Sequence, residues 1–230
     1  MKKTLSLLAG AALFCLAIPQ ANATTFTYAD HWLDWPGYDS GSPYNTQDVV
    51  GHRPQVEQMI ITTNDSDMLQ SVQVVFATDT ERLVFDSLFI NSYNNTTTNT
   101  SWDDWDYFVH DGNLHGQGQT SGTVPNNGLY TVNADYVYTT TLHYRTGNPN
   151  GIDAGSLAEM DLSFSPTYDS DILTYDFSSY GIDVSDGFFF AYAPWCANDV
   201  MGTPEPATML LFGTGMIGLI GIGRRRSKRS

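Results

Sequence analysis

Hydrophobic and polar positions alternate most regularly between residues 130 and 145. Apolar and aromatic side chains occupy the even-numbered positions and mostly polar ones the odd-numbered positions, which is the period of a β-strand with one buried face. Because sixteen residues is long for one strand, we also predict a bend or bulge near Asn133-Ala134. The even-numbered residues from Tyr136 to Tyr144 are expected to face the core.

Shorter segments between residues 70 and 193 carry the same kind of signal, and helical periodicity is weak throughout. Residues 82–90 are apolar on both faces, as in the central strand of a sheet. Asn126-Asn127-Gly128 and residues 147–151 have the composition of turns. The further strand predictions are 70–78, 102–110, 158–164, 172–177 and 187–193. Many short strands separated by polar turns predict an all-β domain, an antiparallel β-sandwich or jelly-roll-like fold.

The N-terminus has the three parts of a secretory signal peptide. Lys2 and Lys3 precede an apolar stretch over residues 5–18, which we expect to form a signal helix. Ala21-Asn22-Ala23 then fits the small-x-small rule for cleavage by signal peptidase. We therefore predict a signal peptide over residues 1–23, with Ala21 and Ala23 at the cleavage site.

The C-terminus has a second ordered set of signals. Pro204-Glu205-Pro206 is followed by seventeen uncharged, mostly apolar residues, 207–223, predicted to form a single transmembrane helix roughly 26 Å long. Five basic residues then close the chain and would hold that end in the cytoplasm: Arg224, Arg225, Arg226, Lys228 and Arg229. Residues 24–202 are the predicted ectodomain, and 199–205 are expected to be an extended, accessible linker, because prolines 204 and 206 cannot lie inside a regular helix.

This order of tripeptide, apolar span and basic tail resembles the PEP-CTERM sorting signal of Gram-negative bacteria, which exosortases process. The resemblance implies export, a transient anchor in the inner membrane, cleavage near the tripeptide, and delivery to the cell surface or the extracellular polysaccharide. The ectodomain segments 105–109, 148–152 and 195–200 are similar to parts of uncharacterised PEP-CTERM ectodomains, which brings no catalytic or binding residue with it.

Charge restricts the partners of the exported part. All 25 acidic residues lie between positions 30 and 205, where Arg53, Arg82 and Arg145 are the basic residues, so this part carries a net charge of −22. Nucleic acid and anionic lipid are poor partners, because binding them depends on neutralising phosphates. Cations and neutral glycans are compatible, and so is a simple role of the charge in solubility. Cys196 is alone once the signal peptide is removed, so an internal disulfide is excluded.

The sequence offers weak candidates for chemistry. Asp104, Asp106 and Asp111 are possible Ca²⁺ ligands, since calcium prefers several carboxylate oxygens; the alternative is that they are solvated charges at a strand edge. The five tryptophans could bind sugar rings or form core. No catalytic motif is present, and the Glu159-Met160-Asp161 start of one glycosidase pattern has Phe164 where its acid/base should be. We therefore expect a structural or binding protein and not an enzyme, with a Ca²⁺-dependent glycan-binding module and a polysaccharide hydrolase as alternatives.

Overall fold

A computed structural model describes residues 23–30, 35, 55–77, 85–92, 102, 104–112, 120–141, 147–194 and 200–203. Over these ranges the chain is all-β apart from one 3₁₀ turn at Ala154–Ser156. None of the helices in this described part is long and apolar enough to cross a membrane. The signal helix and the transmembrane helix predicted at the two ends lie outside the described residues.

Fourteen strands are found in the described ranges. In chain order they are β1 (Thr24–Ala29), β2 (Val56–Thr63), β3 (Leu69–Phe76), β4 (Phe85–Asn91), β5 (Tyr107–Gly112), β6 (Thr120–Ser121), β7 (Gly128–Val132), β8 (Tyr138–Thr141), β9 (Pro149–Ile152), β10 (Leu157–Asp161), β11 (Thr167–Asp169), β12 (Ile172–Asp176), β13 (Phe189–Pro194) and β14 (Met201–Gly202).

The strands form three antiparallel sheets. A five-stranded sheet has the order β1-β2-β3-β12-β11, a six-stranded sheet the order β10-β7-β5-β4-β13-β14, and a three-stranded sheet the order β6-β8-β9. Every strand pair in them is antiparallel. The prediction of an all-β, antiparallel fold is confirmed.

The six-stranded sheet is apolar on both faces because two cores lie against it. Leu88 and Ile90 of β4 join the first core, which the five-stranded sheet completes with residues such as Val72 and Leu173. Phe89, between them in sequence, points the other way into a second core. The prediction that residues 82–90 contain a central strand is therefore confirmed, since β4 lies between β5 and β13.

The second core is an aromatic cluster beside the three-stranded sheet. Trp35 lies within 5.0 Å of both Phe89 and Trp102, measured between ring centroids. Tyr138 of β8 packs on Trp35, and its hydroxyl accepts a hydrogen bond of 2.7 Å from Trp105 Nε1. Tryptophan and tyrosine can be buried in this way because their polar atoms find partners.

The alternating run over residues 130–145 is divided between two sheets. Strand β7 ends at Val132, a turn closes with a hydrogen bond from Tyr136 N to Asn133 O, and β8 begins at Tyr138. The predicted bend near Asn133 is confirmed, and Tyr138 packs on the second core as expected. Tyr138 is only partly buried, whereas Thr139 on the odd face is fully buried and donates a hydrogen bond to Asn150 Oδ1 of β9. Residues 142–146 lie outside the described part.

Three of the predicted local structures are wrong in detail. Residues 149–152 form the buried strand β9 and not a turn, because Asn150 O accepts a hydrogen bond from Ser87 Oγ that joins β9 to β4. Trp102 and Trp105 precede β5, since their rings insert into the second core. In the segment predicted as strand 158–164, β10 ends at Asp161 on a sheet edge, and Met160 is 41% exposed.

Candidate functional site

The described chain ends at one edge of the six-stranded sheet. Strand β13 pairs with the central strand β4 on one side and with the two-residue strand β14 on the other. In the second ladder Tyr192 is opposite Met201 and Ala191 is opposite Gly202. All six residues of β13 are buried, and so are Met201 and Gly202. This edge is thus closed by the last segment of the described chain.

Thr203 fixes the end of that segment through two hydrogen bonds. Its backbone N–H donates to Phe190 O at 2.9 Å, and its hydroxyl Oγ1 accepts from Phe190 N at 3.0 Å. The residue is fully buried, with 0% exposure. A threonine suits this position because its hydroxyl oxygen supplies an acceptor for the buried N–H of Phe190.

Gly202 is held against an aromatic wall. A Cβ added there would lie 2.5 Å from Trp102 Cζ2 and 3.0 Å from Phe189 Cζ, so a larger residue would displace either the indole or the strand. On the other face Met201 is part of the first core. The two residues therefore tie β14 to both cores, although the strand is only two residues long.

Pro204-Glu205-Pro206 follows this buried segment with no intervening residue. The predicted accessible linker over residues 199–205 is therefore wrong for Val200, Met201, Gly202 and Thr203, each of which is buried. Apolar packing of Val200 and Met201 and the pairing with β13 outweigh the solvation that an extended linker would gain. The linker can begin only after Thr203.

The family comparison falls on the same point of the chain. Residues 203–227 match the model of the PEP-CTERM protein-sorting motif. The chain carries a PEP-CTERM sorting signal. Such a signal directs export, processing by exosortase and sorting to the cell surface, as the sequence resemblance implied. No curated protein and no solved structure matches the chain.

The other predicted residues of the sorting path lie mostly outside the described ranges. These are Ala21 at the signal cleavage site, the tripeptide residues Pro204, Glu205 and Pro206, and the basic residues Arg224, Arg225, Arg226, Lys228 and Arg229. Ala23 is exposed and directly precedes β1, which begins at Thr24. Cleavage after Ala23 would leave every residue of β1 in the mature chain.

Among the three aspartates predicted as calcium ligands, the structure separates Asp106 from Asp111. Asp106 and Asp111 lie before and within β5, five residues apart, which corresponds to about 17 Å along a strand. Asp106 Oδ2 accepts hydrogen bonds from both Ser92 N and Ser92 Oγ, Asp111 is buried, and Asp104 is exposed with a φ of 63°. In the described part of the chain no three His, Cys, Asp or Glu side chains could together hold a metal ion. Calcium binding at any one of them stays a prediction.

Tryptophans in the described ranges are core residues and not a sugar-binding surface. Trp35, Trp102 and Trp105 are 1%, 8% and 3% exposed. Their rings are covered by one another and by Phe89 and Phe189, so no indole face is open to a ligand. Trp32 and Trp195 lie outside the described residues.

Several acidic residues serve turns of the ectodomain. The pattern Asp-x-Ser occurs at Asp161, Asp176 and Asp183, and in each case the carboxylate accepts a hydrogen bond from the backbone N–H of the serine two residues later. Hydrogen bonds from the serines lower the pKa of all three aspartates, because they favour the ionised form. A lowered pKa suits a turn-forming carboxylate and opposes use of Asp161 as a general acid.

We expect the Tyr180→Phe variant to raise the pKa of Asp161 towards its ordinary value of 3.8. Tyr180 donates a hydrogen bond to Asp161 Oδ2, and the pKa of Tyr180 is raised to about 12 by that bond. In the native protein Asp161 adds stability above pH 3.8 that is lost as the pH falls through its lowered pKa, and the variant should lose part of it. Carboxyl NMR titration measures the shift, with Asp176 and Asp183 as internal controls. An unchanged Asp161 would contradict the assignment.

Residues Gly202, Thr203 and Trp102 were missed by sequence reasoning as parts of this site. A two-residue strand is too short to show a period, and Trp102 approaches it from a distant position in the chain. The available signal was the apolar pair Val200-Met201, which lies two residues before the tripeptide and is unusual for a solvated linker.

Proposed function

We propose that the protein is exported through the inner membrane, held there transiently by a helix over residues 207–223, and cut at or near Pro204-Glu205-Pro206. The released ectodomain then acts as a structural or binding component of the cell surface or the extracellular polysaccharide. Exosortase and signal peptidase are the processing partners, and the protein is attached to the inner membrane only until it is cut.

One observation carries this proposal: the PEP-CTERM match over residues 203–227 begins at Thr203, which is buried and is the last residue that the structure describes. The folded domain and the sorting signal therefore meet at Thr203 with no spare chain between them. Removal of everything after the tripeptide would leave all fourteen described strands intact. A signal that can be lost without breaking the fold supports a temporary anchor.

Charge and packing of the ectodomain support a structural or binding role after release. The exported part has a net charge of −22 and no lysine, which disperses a secreted chain and permits contact with neutral glycans. Its aromatic clusters and its β-ladders supply stability in place of an internal disulfide, which the single Cys196 cannot form. Such a domain can persist outside the cell on its core alone.

Intact mass measurement of the protein from its native host tests the proposal. We expect the mature species to begin at Thr24, to end at or near residues 204–206, and to be recovered outside the inner membrane. A strain lacking exosortase should instead retain a membrane-bound chain that ends at Ser230. Recovery of the Ser230-terminated form from the inner membrane of the normal host, with none outside, would refute the proposal.

A further inference from the structure

We propose that β14 and Thr203 must leave the six-stranded sheet before exosortase can cut, so that opening of this sheet edge sets the rate of processing. This inference rests on the proposed function, since it concerns the same cleavage. It assigns to the fold a control that the sorting motif alone does not contain.

Proteolytic cleavage requires an extended, accessible peptide on both sides of the bond that is broken. On the N-terminal side of Pro204-Glu205-Pro206, that peptide is Met201-Gly202-Thr203, and all three residues have their surfaces buried. The hydrogen bond from Thr203 N to Phe190 O also occupies a backbone N–H that a protease would need, and the bond from Phe190 N to Thr203 Oγ1 holds the side chain in place. The closed edge therefore withholds the upstream half of the cleavage site.

Opening of this edge costs less than unfolding of the domain. Strand β14 contributes only two residue pairs to the ladder and lies outermost in the sheet. Short edge segments detach locally while the rest of a protein stays folded. When closing is fast relative to cleavage, the cleavage rate is proportional to the open fraction. Anything that stabilises or destabilises β14 should then change the processing rate by the same factor.

An insertion after Thr203 makes the peptide upstream of the tripeptide accessible without changing the stability of β14. Placing Gly-Ser-Gly-Thr between Thr203 and Pro204 adds about 13 Å of extended chain, keeps a threonine before the tripeptide, and leaves β14 unchanged. Pulse–chase labelling in the native host, with the precursor and the mature form separated by mass, measures the processing rate. We expect the insertion to raise the rate severalfold, because the upstream peptide is then available without opening.

A substitution at Gly202, which lies outside the matched residues 203–227, provides the second test. In Gly202→Ala the new Cβ would collide with the Trp102 indole, so the open fraction and the processing rate should both rise severalfold. Gly151→Ala is the matched control, because its Cβ would lie 2.7 Å from Thr139 Oγ1 and its three nearest atoms belong to β8, β4 and β5, not to β14. We expect Gly151→Ala to leave the processing rate unchanged. Combined with the insertion, Gly202→Ala should add no further acceleration.

The outcomes distinguish this inference from the proposed function. A wild-type chain that is not cut at all would refute both. A wild-type chain that is cut, together with an insertion variant processed at the wild-type rate, would overturn the inference and leave the proposed function standing. Equal acceleration by Gly202→Ala and Gly151→Ala would also overturn it, since global destabilisation would then be the cause. If Gly202→Ala is degraded before processing, the insertion variant alone decides.

Discussion

Replacement of Tyr138 with aspartate is expected to lower the free energy of unfolding by about 3–5 kcal/mol. The Tyr138 ring packs on Trp35 and Phe89, and its hydroxyl accepts from Trp105 Nε1 and donates to Trp102 O. Aspartate removes the ring, leaves both tryptophan groups without this partner, and places a charge against the aromatic cluster. Urea denaturation of the exported chain, followed by tryptophan fluorescence, measures the loss.

Two further variants separate the causes of that stability loss. Val137→Asp tests whether the loss depends on the face of the segment, and Tyr138→Phe tests the contribution of the Tyr138 hydroxyl. Val137, the adjacent residue, is 62% exposed, so Val137→Asp should change the unfolding free energy by no more than about 0.5 kcal/mol. Tyr138→Phe keeps the ring and should cost about 1–3 kcal/mol through the lost hydrogen bonds. Equal losses for Val137→Asp and Tyr138→Asp would show that the assignment of faces in this segment is wrong.

Strands that pack against an apolar core could be predicted from the sequence, because apolar side chains occupy the positions at which these strands face a core. Segment 82–90 is an example: Leu88 and Ile90 face one core and Phe89 the other, and the sequence is apolar at all three positions. Segment 172–177 likewise contains β12, and segment 187–193 covers β13 except for Pro194. In these cases local pattern and tertiary packing agree.

Strand β9 of the three-stranded sheet could not be predicted, because polar residues build its contacts with the neighbouring strands. Asn148 and Asn150 suggest a turn, yet both are fully buried, and Asn150 bonds Ser87 of the distant strand β4 and Thr139 of the neighbouring strand β8. Gly151 suggests a turn as well, but its Cα hydrogen occupies the place where a Cβ would meet Thr139 Oγ1 at 2.7 Å. Such long-range polar pairing leaves no local period.

The sorting signal, unlike β9, could be recognised from the sequence alone. Its tripeptide, apolar run and basic tail are recognised in order from the sequence, since a membrane and a processing enzyme read them locally. The position of Thr203 depends instead on Phe190, 13 residues away, and that of Gly202 on Trp102, 100 residues away. The motif is therefore predictable from sequence, whereas its attachment to the sheet is not.

Changing Arg224, Arg225 and Arg226 together to glutamate is expected to abolish formation of the mature, released form. The tail would then contain three acidic residues against Lys228 and Arg229, so its net charge falls from +5 to −1. Positive residues beside an apolar span hold that end in the cytoplasm, and without them the proposed helix over 207–223 loses its fixed orientation. The tripeptide would no longer be held at the outer side, where cleavage is proposed. Fractionation and intact mass should show full-length precursor accumulating in place of the released chain.

The matched control replaces the same three arginines with lysine. It keeps the tail charge at +5 and should be processed at the wild-type rate, because orientation depends on positive charge and not on the guanidinium group. If the lysine variant also accumulates as precursor, arginine itself is recognised and the orientation argument fails. If the glutamate variant is released normally, the basic tail does not orient the chain. In either variant the ectodomain should keep its unfolding free energy, since the changed residues follow Thr203 by more than twenty positions.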